Sequence, residues 1–226
     1  MFKDRSDAGR QLAAKLLHLR DRNPVVLALP RGGVAVGFES ARELGAPLEI
    51  VQVRKIGVPW QPELALGAVS DGAQPEIFID ERLVRALSIP QDYIREETAR
   101  QLAEIERRRQ VYSAGRPPID IAGRTAIVVD DGIATGATMR VALRATRHRN
   151  PDWLVLAAPV AAPDTLAVLS EEVDETVCVL APADLGAIGY YYADFHQMSD
   201  DEVTDLLARA ARRRAGTAAP VGTRHG

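Results

Sequence analysis

Residues 127–138, Ile-Val-Val-Asp-Asp-Gly-Ile-Ala-Thr-Gly-Ala-Thr, set two neighbouring carboxylates directly after an apolar run and follow them with small and hydroxyl-bearing side chains. Asp130 and Asp131 can accept hydrogen bonds from adjacent sugar hydroxyls. Gly132 and Gly136 let the backbone come close to a ligand, and Thr135 and Thr138 add hydroxyl donors. A turn of this composition that opens a helix presents bare N–H groups and the helix's positive end, a cradle for a phosphate dianion. One short segment thus offers a grip for hydroxyls beside a cradle for phosphate, which a sugar phosphate would satisfy together.

Other phosphate and hydrolase signatures do not fit. A Walker A loop requires lysine after its last glycine, and Gly136 is followed by Ala137 and Thr138. Residues 31–37, Arg-Gly-Gly-Val-Ala-Val-Gly, lack the G-x-G-x-x-G spacing of a dinucleotide fold, and neither HExxH nor GxSxG occurs. The plainer reading of 127–138, an ordinary strand–turn–helix junction with an aspartate cap, would suit an isolated Asp-Gly pair better than this whole string.

The elements that must position these residues alternate along the chain. Leu12, Leu16 and Leu19 share one face of a helix over 6–20, with Ser6 as its cap. The run 24–30 reads as a buried strand closed by Pro30, 34–44 as a helix stopped by Gly45, and 47–57 as a second strand. Segments 64–70 and 76–80 read as strands around a turn at Asp71-Gly72. A charged helix follows over 90–112, with Glu96/Arg100 and Glu104/Arg108 at i, i+4. Then come a strand at 124–132, a helix from Gly136, a strand at 153–162, a helix at 163–172 and a strand around Cys178. This order implies an α/β fold, a mainly parallel twisted sheet flanked by helices. The organisation expected is one domain over 1–213, with a core at about 20–180, a small C-terminal hood and helix at 181–213, and a disordered tail over 214–226.

Composition narrows the class. The chain has 226 residues, 46% of them hydrophobic, and a net charge of −3, which gives no bulk electrostatic case for nucleic acid. A lone cysteine, Cys178, makes no internal disulfide, and no apolar run approaches a membrane span, so a cytoplasmic protein with no membrane partner is expected. Of the 28 basic residues only Lys3, Lys15 and Lys55 are lysines, which draws attention to Lys55.

The string Val128–Thr138 resembles the phosphoribosyl-diphosphate (PRPP) signature of the type I phosphoribosyltransferases, and the order of elements over most of 20–180 is similar to theirs. The resemblance implies a Rossmann-like core and a site as follows. Asp130 and Asp131 would hold the ribose hydroxyls. Gly132, Ile133, Ala134, Thr135, Gly136, Ala137 and Thr138 would wrap the 5′-phosphate. Arg31, Gly32 and Gly33 would form the pyrophosphate loop, and Lys55, with Arg54 as alternative, would pair with the diphosphate. Mg²⁺ would be the cofactor, carried by substrate and water, with Asp130 and Asp131 as the carboxylates open to it.

The same resemblance implies a mobile lid before the signature strand, where Arg107, Arg108, Arg109 and Arg116 are the candidate cations, Arg116 with a catalytic role. The triple arginine also reads as a solvated helix end. The densest aromatic cluster, Tyr190, Tyr191, Tyr192 and Phe195, could form a hood on which an acceptor base stacks, or simply pack a C-terminal helix. His196 reads as a surface or hydrogen-bonded residue. The function implied is transfer of phosphoribosyl from PRPP to a small nitrogenous acceptor, purine-like among the candidates, with release of pyrophosphate and homodimer formation by analogy. A non-catalytic PRPP-binding regulator and a phosphosugar hydrolase are the alternatives.

Overall fold

The computed structural model describes residues 1–71, 75–113 and 118–217. In chain order its elements are α1 (Arg5–Leu16), β1 (Pro24–Ala28), α2 (Gly32–Leu44), β2 (Leu48–Ile50), β3 (Val53–Val58), β4 (Gln61–Ser70), β5 (Ile77–Ile79), α3 (Glu81–Ala86) and α4 (Gln91–Ser113). They continue as β6 (Thr125–Val129), α5 (Ala137–Arg147), β7 (Trp153–Val160), α6 (Pro163–Ser170), β8 (Glu175–Leu180) and α7 (Asp200–Thr217), with short 3₁₀ turns at Leu17–Leu19 and Ile188–Tyr191.

The apolar runs become a five-stranded parallel sheet in the order β2-β1-β6-β7-β8. Every residue of β1 and β6 is buried, as expected of strands covered on both faces. Strand alternation sorts their side chains. Val25, Leu27, Ala126 and Val128 pack with Met139, Ala142 and Leu143 of α5, while Val26, Ile127 and Val129 pack with Leu12 and Leu16 of α1 and Val36 and Leu44 of α2. From β1 the chain crosses through α2 to β2 on one side, whereas from β6 it crosses through α5 to β7 on the other. The carboxyl ends of β1 and β6 therefore flank the point where the winding reverses, where open α/β sheets hold their ligands.

A second, antiparallel sheet, β3-β4-β5, carries its own apolar cluster: Ile56, Val58 and Leu66 against Val84, Ile89 and Ile94. It accounts for the main departure from expectation. Residues 47–57 are two strands in two sheets. β2 pairs with β1 only as far as Ala28, where β1 ends, and from Val53 the chain pairs instead with β4 in the register Val53–Ser70. The β4–β5 hairpin forms as expected, although Gly72 of its turn lies outside the described residues.

Other differences are local. Asp4, not Ser6, caps α1, its carboxylate accepting the Asp7 N–H at 2.7 Å. Asp80 accepts the N–H groups of Arg82 and Leu83 and nucleates α3, a helix that hydrophobic spacing alone did not suggest. Along α4, Glu104 meets Arg108 at 2.8 Å as the spacing implied, but Arg100 turns to Glu97 at 2.7 Å. α7 stays helical to Thr217, so residues 214–217 are not part of an irregular tail, and 218–226 lie outside the described residues. No helix among the described residues is long and apolar enough to cross a membrane.

Candidate functional site

Two loops meet at the reversal point. Leu29 follows β1 and donates its N–H to the Val129 carbonyl at 2.9 Å, tying the end of β1 to the end of β6. The Pro30–Arg31 peptide is cis, and α2 begins at Gly32. Both leading glycines of α2 are pressed onto the acidic pair. A Cβ on Gly32 would fall 1.9 Å from Asp131 Oδ2, and one on Gly33 would fall 2.8 Å from the Val129 carbonyl and 3.0 Å from Asp130 Cα. The residues expected to form the pyrophosphate loop thus lie against the residues expected to hold the ribose.

The acidic pair is partly buried and heavily braced. Asp130 Oδ1 accepts the Asp131 N–H at 2.8 Å. Burial, reinforced by the charge on Asp131, raises the Asp130 carboxyl well above the usual aspartate range. Asp131 is met by a residue the sequence reading passed over. Arg5, from the first turn of α1, donates Nε–H to Asp131 Oδ2 at 2.7 Å and Nη1–H to the His196 carbonyl at 2.7 Å. Its guanidinium lies 4.0 Å from the Phe195 ring centroid. Nothing in the spacing around Arg5 signals this role, because its partners stand 126 or more residues away.

The loop expected to hold a phosphate is anchored at both ends. Ile133 is buried, donates its N–H to Val160 and accepts from Ala162, extending the parallel ladder beyond β6. Its amide is committed to the sheet, so Ile133 holds the loop rather than a ligand. Thr165 of α6 donates to the Ala134 carbonyl at 2.6 Å. Ala134 and Thr135 are exposed, and Gly136 takes a left-handed conformation (φ 75°) that starts α5. The first N–H groups of a helix have no partners within it, so Ala137, Thr138 and their neighbours present donors at the loop mouth.

The expected diphosphate cations divide between two faces of β3. Arg54 donates Nε–H to Gln101 of α4 at 2.9 Å, and burial lowers its pKa. Val53, of opposite parity to Arg54, packs against the core that contains Ile133 and Met139. Exposed Lys55 shares that parity and so faces the phosphate-loop side of the sheet. Arg31 sits at the start of α2, 3.9 Å from Asp200 at the start of α7, and Asp200 also accepts the Tyr112 hydroxyl. Arg107 and Arg108 pair with Glu104, and Arg109 with Glu106, along α4. Arg116 lies outside the described residues.

Of the four aromatics expected as a stacking hood, two brace the acidic loop instead. Tyr192 is buried, donates its hydroxyl to the Asp131 carbonyl at 2.6 Å, and stacks between Phe2 (5.2 Å) and Phe195 (4.9 Å). Tyr191 donates to the Asp184 carbonyl. Tyr190 is 77% exposed and lies against Gly186, while Ile188 is seated over Gly132 at the edge of the acidic loop. His196 is paired with Asp194 and Glu202, both at 3.1 Å.

Among the described residues no group of three or more His, Cys, Asp or Glu side chains is arranged to hold a metal. Asp130 and Asp131 offer hard oxygen donors at one edge of the site, a set that suits magnesium held mainly through substrate oxygens and water.

Residues 78–194 match the family model of the phosphoribosyl transferase domain. Two Mycobacterium tuberculosis proteins, from strains CDC 1551 and H37Rv, each bear the name putative phosphoribosyl transferase and are 45% identical over 213 residues, covering 94% of this chain and 47% of each relative. The chain spans about half the length of these curated relatives. The crystal structure of TT1426 from Thermus thermophilus is 41% identical, with a TM-score of 0.78 over 92% of this chain and 98% of that one.

Proposed function

The chain belongs to the phosphoribosyltransferase family, and from that premise we propose that it transfers the phosphoribosyl group of PRPP to a nitrogenous acceptor, a purine-like base being the first candidate, and releases pyrophosphate. The observation that carries this reading is the contact of Gly32 and Gly33 with Asp131 and Asp130. It makes one continuous site from a loop suited to diphosphate and a loop suited to a pentose 5-phosphate.

In this reading the acceptor nitrogen bonds to the anomeric carbon as the bond to the diphosphate oxygen breaks. The leaving group departs with both electrons, and the transition state has oxocarbenium character. The chain's work is placement of charge. Asp130 and Asp131 take the ribose hydroxyls, and the charge of Asp131, held by Arg5, favours the ring's developing positive charge. The amides of 134–138 and the hydroxyls of Thr135 and Thr138 hold the 5-phosphate. Lys55 and Arg31, with the amides of Gly32 and Gly33, stabilise the departing diphosphate. Magnesium, when bound, neutralises charge on the diphosphate, with Asp130 and Asp131 as the donors this chain offers it. Ile188, seated over Gly132, borders the side from which an acceptor would enter.

A panel of nucleobases incubated with PRPP and Mg²⁺, followed by pyrophosphate release, tests the proposal. Release that depends on one base is the expected result. Release without any base would mark a hydrolase, and PRPP binding with no release under any base would mark a binder; either result replaces the transferase reading.

A further inference from the structure

We propose that a second anion site, for an oligophosphate, lies in the cleft between the C-terminal halves of α2 and α7. This cleft of about 300 Å³ is lined by Phe38, Arg42, Arg209, Arg212 and Arg213. Among the described residues no carboxylate lines it, although the chain as a whole carries net charge −3. Arg209, Arg212 and Arg213 stand at i, i+3 and i+4, so they project from one face of α7. Arg42 approaches from the other helix.

Two of the guanidinium groups are held in place before any ligand arrives. Arg209 lies 4.8 Å from the Phe38 ring centroid and reaches Asp205, one turn back on α7, at 3.5 Å. Arg42 is fixed by Glu39 at 2.6 Å and Glu43 at 2.9 Å. Cations near a helix C-terminus complement its dipole, which accounts for arginines on α7 alone. It does not account for a fourth arginine brought from α2 to the same cleft. Guanidinium forks match phosphoryl oxygens in pairs, and four of them exceed what one phosphate can use, so a chain of two or three phosphoryl groups fits best.

The cleft is separate from the proposed PRPP site. Ten residues of helix, about 15 Å, separate Gly32 from Arg42 along α2. The ligand chemistry has two sources, a free inorganic chain or the tail of a nucleoside triphosphate, so both serve as probes.

The test follows arginine side-chain Nε–H resonances of the full chain during titration with tripolyphosphate and, separately, with ATP. The signals of Arg42, Arg209, Arg212 and Arg213 are expected to move together and saturate with both probes. Arg31 reports independently on anions that enter the PRPP site, so failure of one site is read apart from failure of the other. The variant R209S/R212S should weaken the titration at the four-arginine cleft at least tenfold while leaving the Arg31 response unchanged. Tighter binding of ATP than of tripolyphosphate would identify the nucleotide as the source, and equal binding the bare chain. The proposal is overturned if only Arg31 moves, if ATP shifts the cluster and tripolyphosphate does not, or if R209S/R212S binds as tightly as wild type. Arg212→Ala, a single change at an exposed position, supplies the same comparison should the double variant not fold.

Discussion

Arg5 and Asp131 form an ion pair at 2.7 Å across 126 residues of sequence, joining the first turn of α1 to the acidic loop after β6. Both side chains are largely shielded, with 10% and 16% of their surface exposed, so water screens the pair little. The pair does two things. It fixes the rotamer of Asp131 beneath Gly32, and it limits the negative charge on a site proposed to accept a diphosphate.

Replacing Arg5 removes both effects. Arg5→Ala is expected to lower stability by about 2 kcal/mol, because Asp131 and the His196 carbonyl lose their donor, and to weaken PRPP binding about tenfold. Arg5→Lys should recover part of the binding, since it keeps the charge and loses the fork. Thermal melts and calorimetric titration of the three proteins check this; unchanged PRPP affinity in Arg5→Ala would exclude a role in the site.

Tyr192 separates packing from hydrogen bonding. Tyr192→Phe keeps the stack between Phe2 and Phe195 but leaves the Asp131 carbonyl without its donor. It should cost about 1 kcal/mol, whereas Tyr192→Ala should cost about 3–4 kcal/mol by opening a cavity. Denaturant melts that rank the two variants in reverse would contradict the bracing role.

The two glycines of the α2 loop should fail differently. A methyl on Gly32 meets a side-chain carboxylate, which can rotate away, while a methyl on Gly33 meets backbone atoms of Val129 and Asp130. Gly32→Ala is therefore expected to fold, to lose PRPP binding, and to lose about 2 kcal/mol of stability through the broken Arg5–Asp131 pair, a loss that disappears in an Arg5→Ala background. Gly33→Ala should also lose about 1–3 kcal/mol of stability. Paired melts and PRPP titrations distinguish them.

Much of this was legible along the chain because its signals are local. The apolar runs of β1, β6, β7 and β8 and the helices between them announced a parallel sheet, and Asp130–Thr138 stood out as a contiguous string. What stayed hidden depends on contacts distant in sequence. Residues 47–57 carry one unbroken β-like pattern, and only the length of β1 decides that β2 stops at Ile50. Arg5 has no motif of its own. Tyr192 looked like a surface for a ligand because aromatic content says nothing about which ring is buried.

Stability should also depend on a carboxylate outside the site. Burial raises the Asp71 carboxyl from 3.8 to about 6, against the lowering effects of a backbone bond with Gln52 and the charge of Arg149. The folded state thus holds this proton more tightly than the unfolded chain. Asp71's contribution is fully present below about pH 4, is lost as pH rises to about 6, and stays lost above that. Asp71→Asn should raise the melting temperature at pH 8, by up to about 3 kcal/mol of stability, and leave it nearly unchanged at pH 3.5. A difference independent of pH would contradict the shift.

The central claim is that the acidic pair and the loop after it hold a pentose phosphate. Calorimetric titration of PRPP in the presence of Mg²⁺ into wild type and into Asp130→Asn/Asp131→Asn tests it most directly, because the variant keeps the shape of both side chains and removes their charge. The account predicts a loss of at least a hundredfold in affinity at the acidic-loop site in the variant, with an unchanged circular dichroism spectrum and any weaker binding at the four-arginine cleft unaltered. Equal affinity in the two proteins would place PRPP elsewhere and contradict the account.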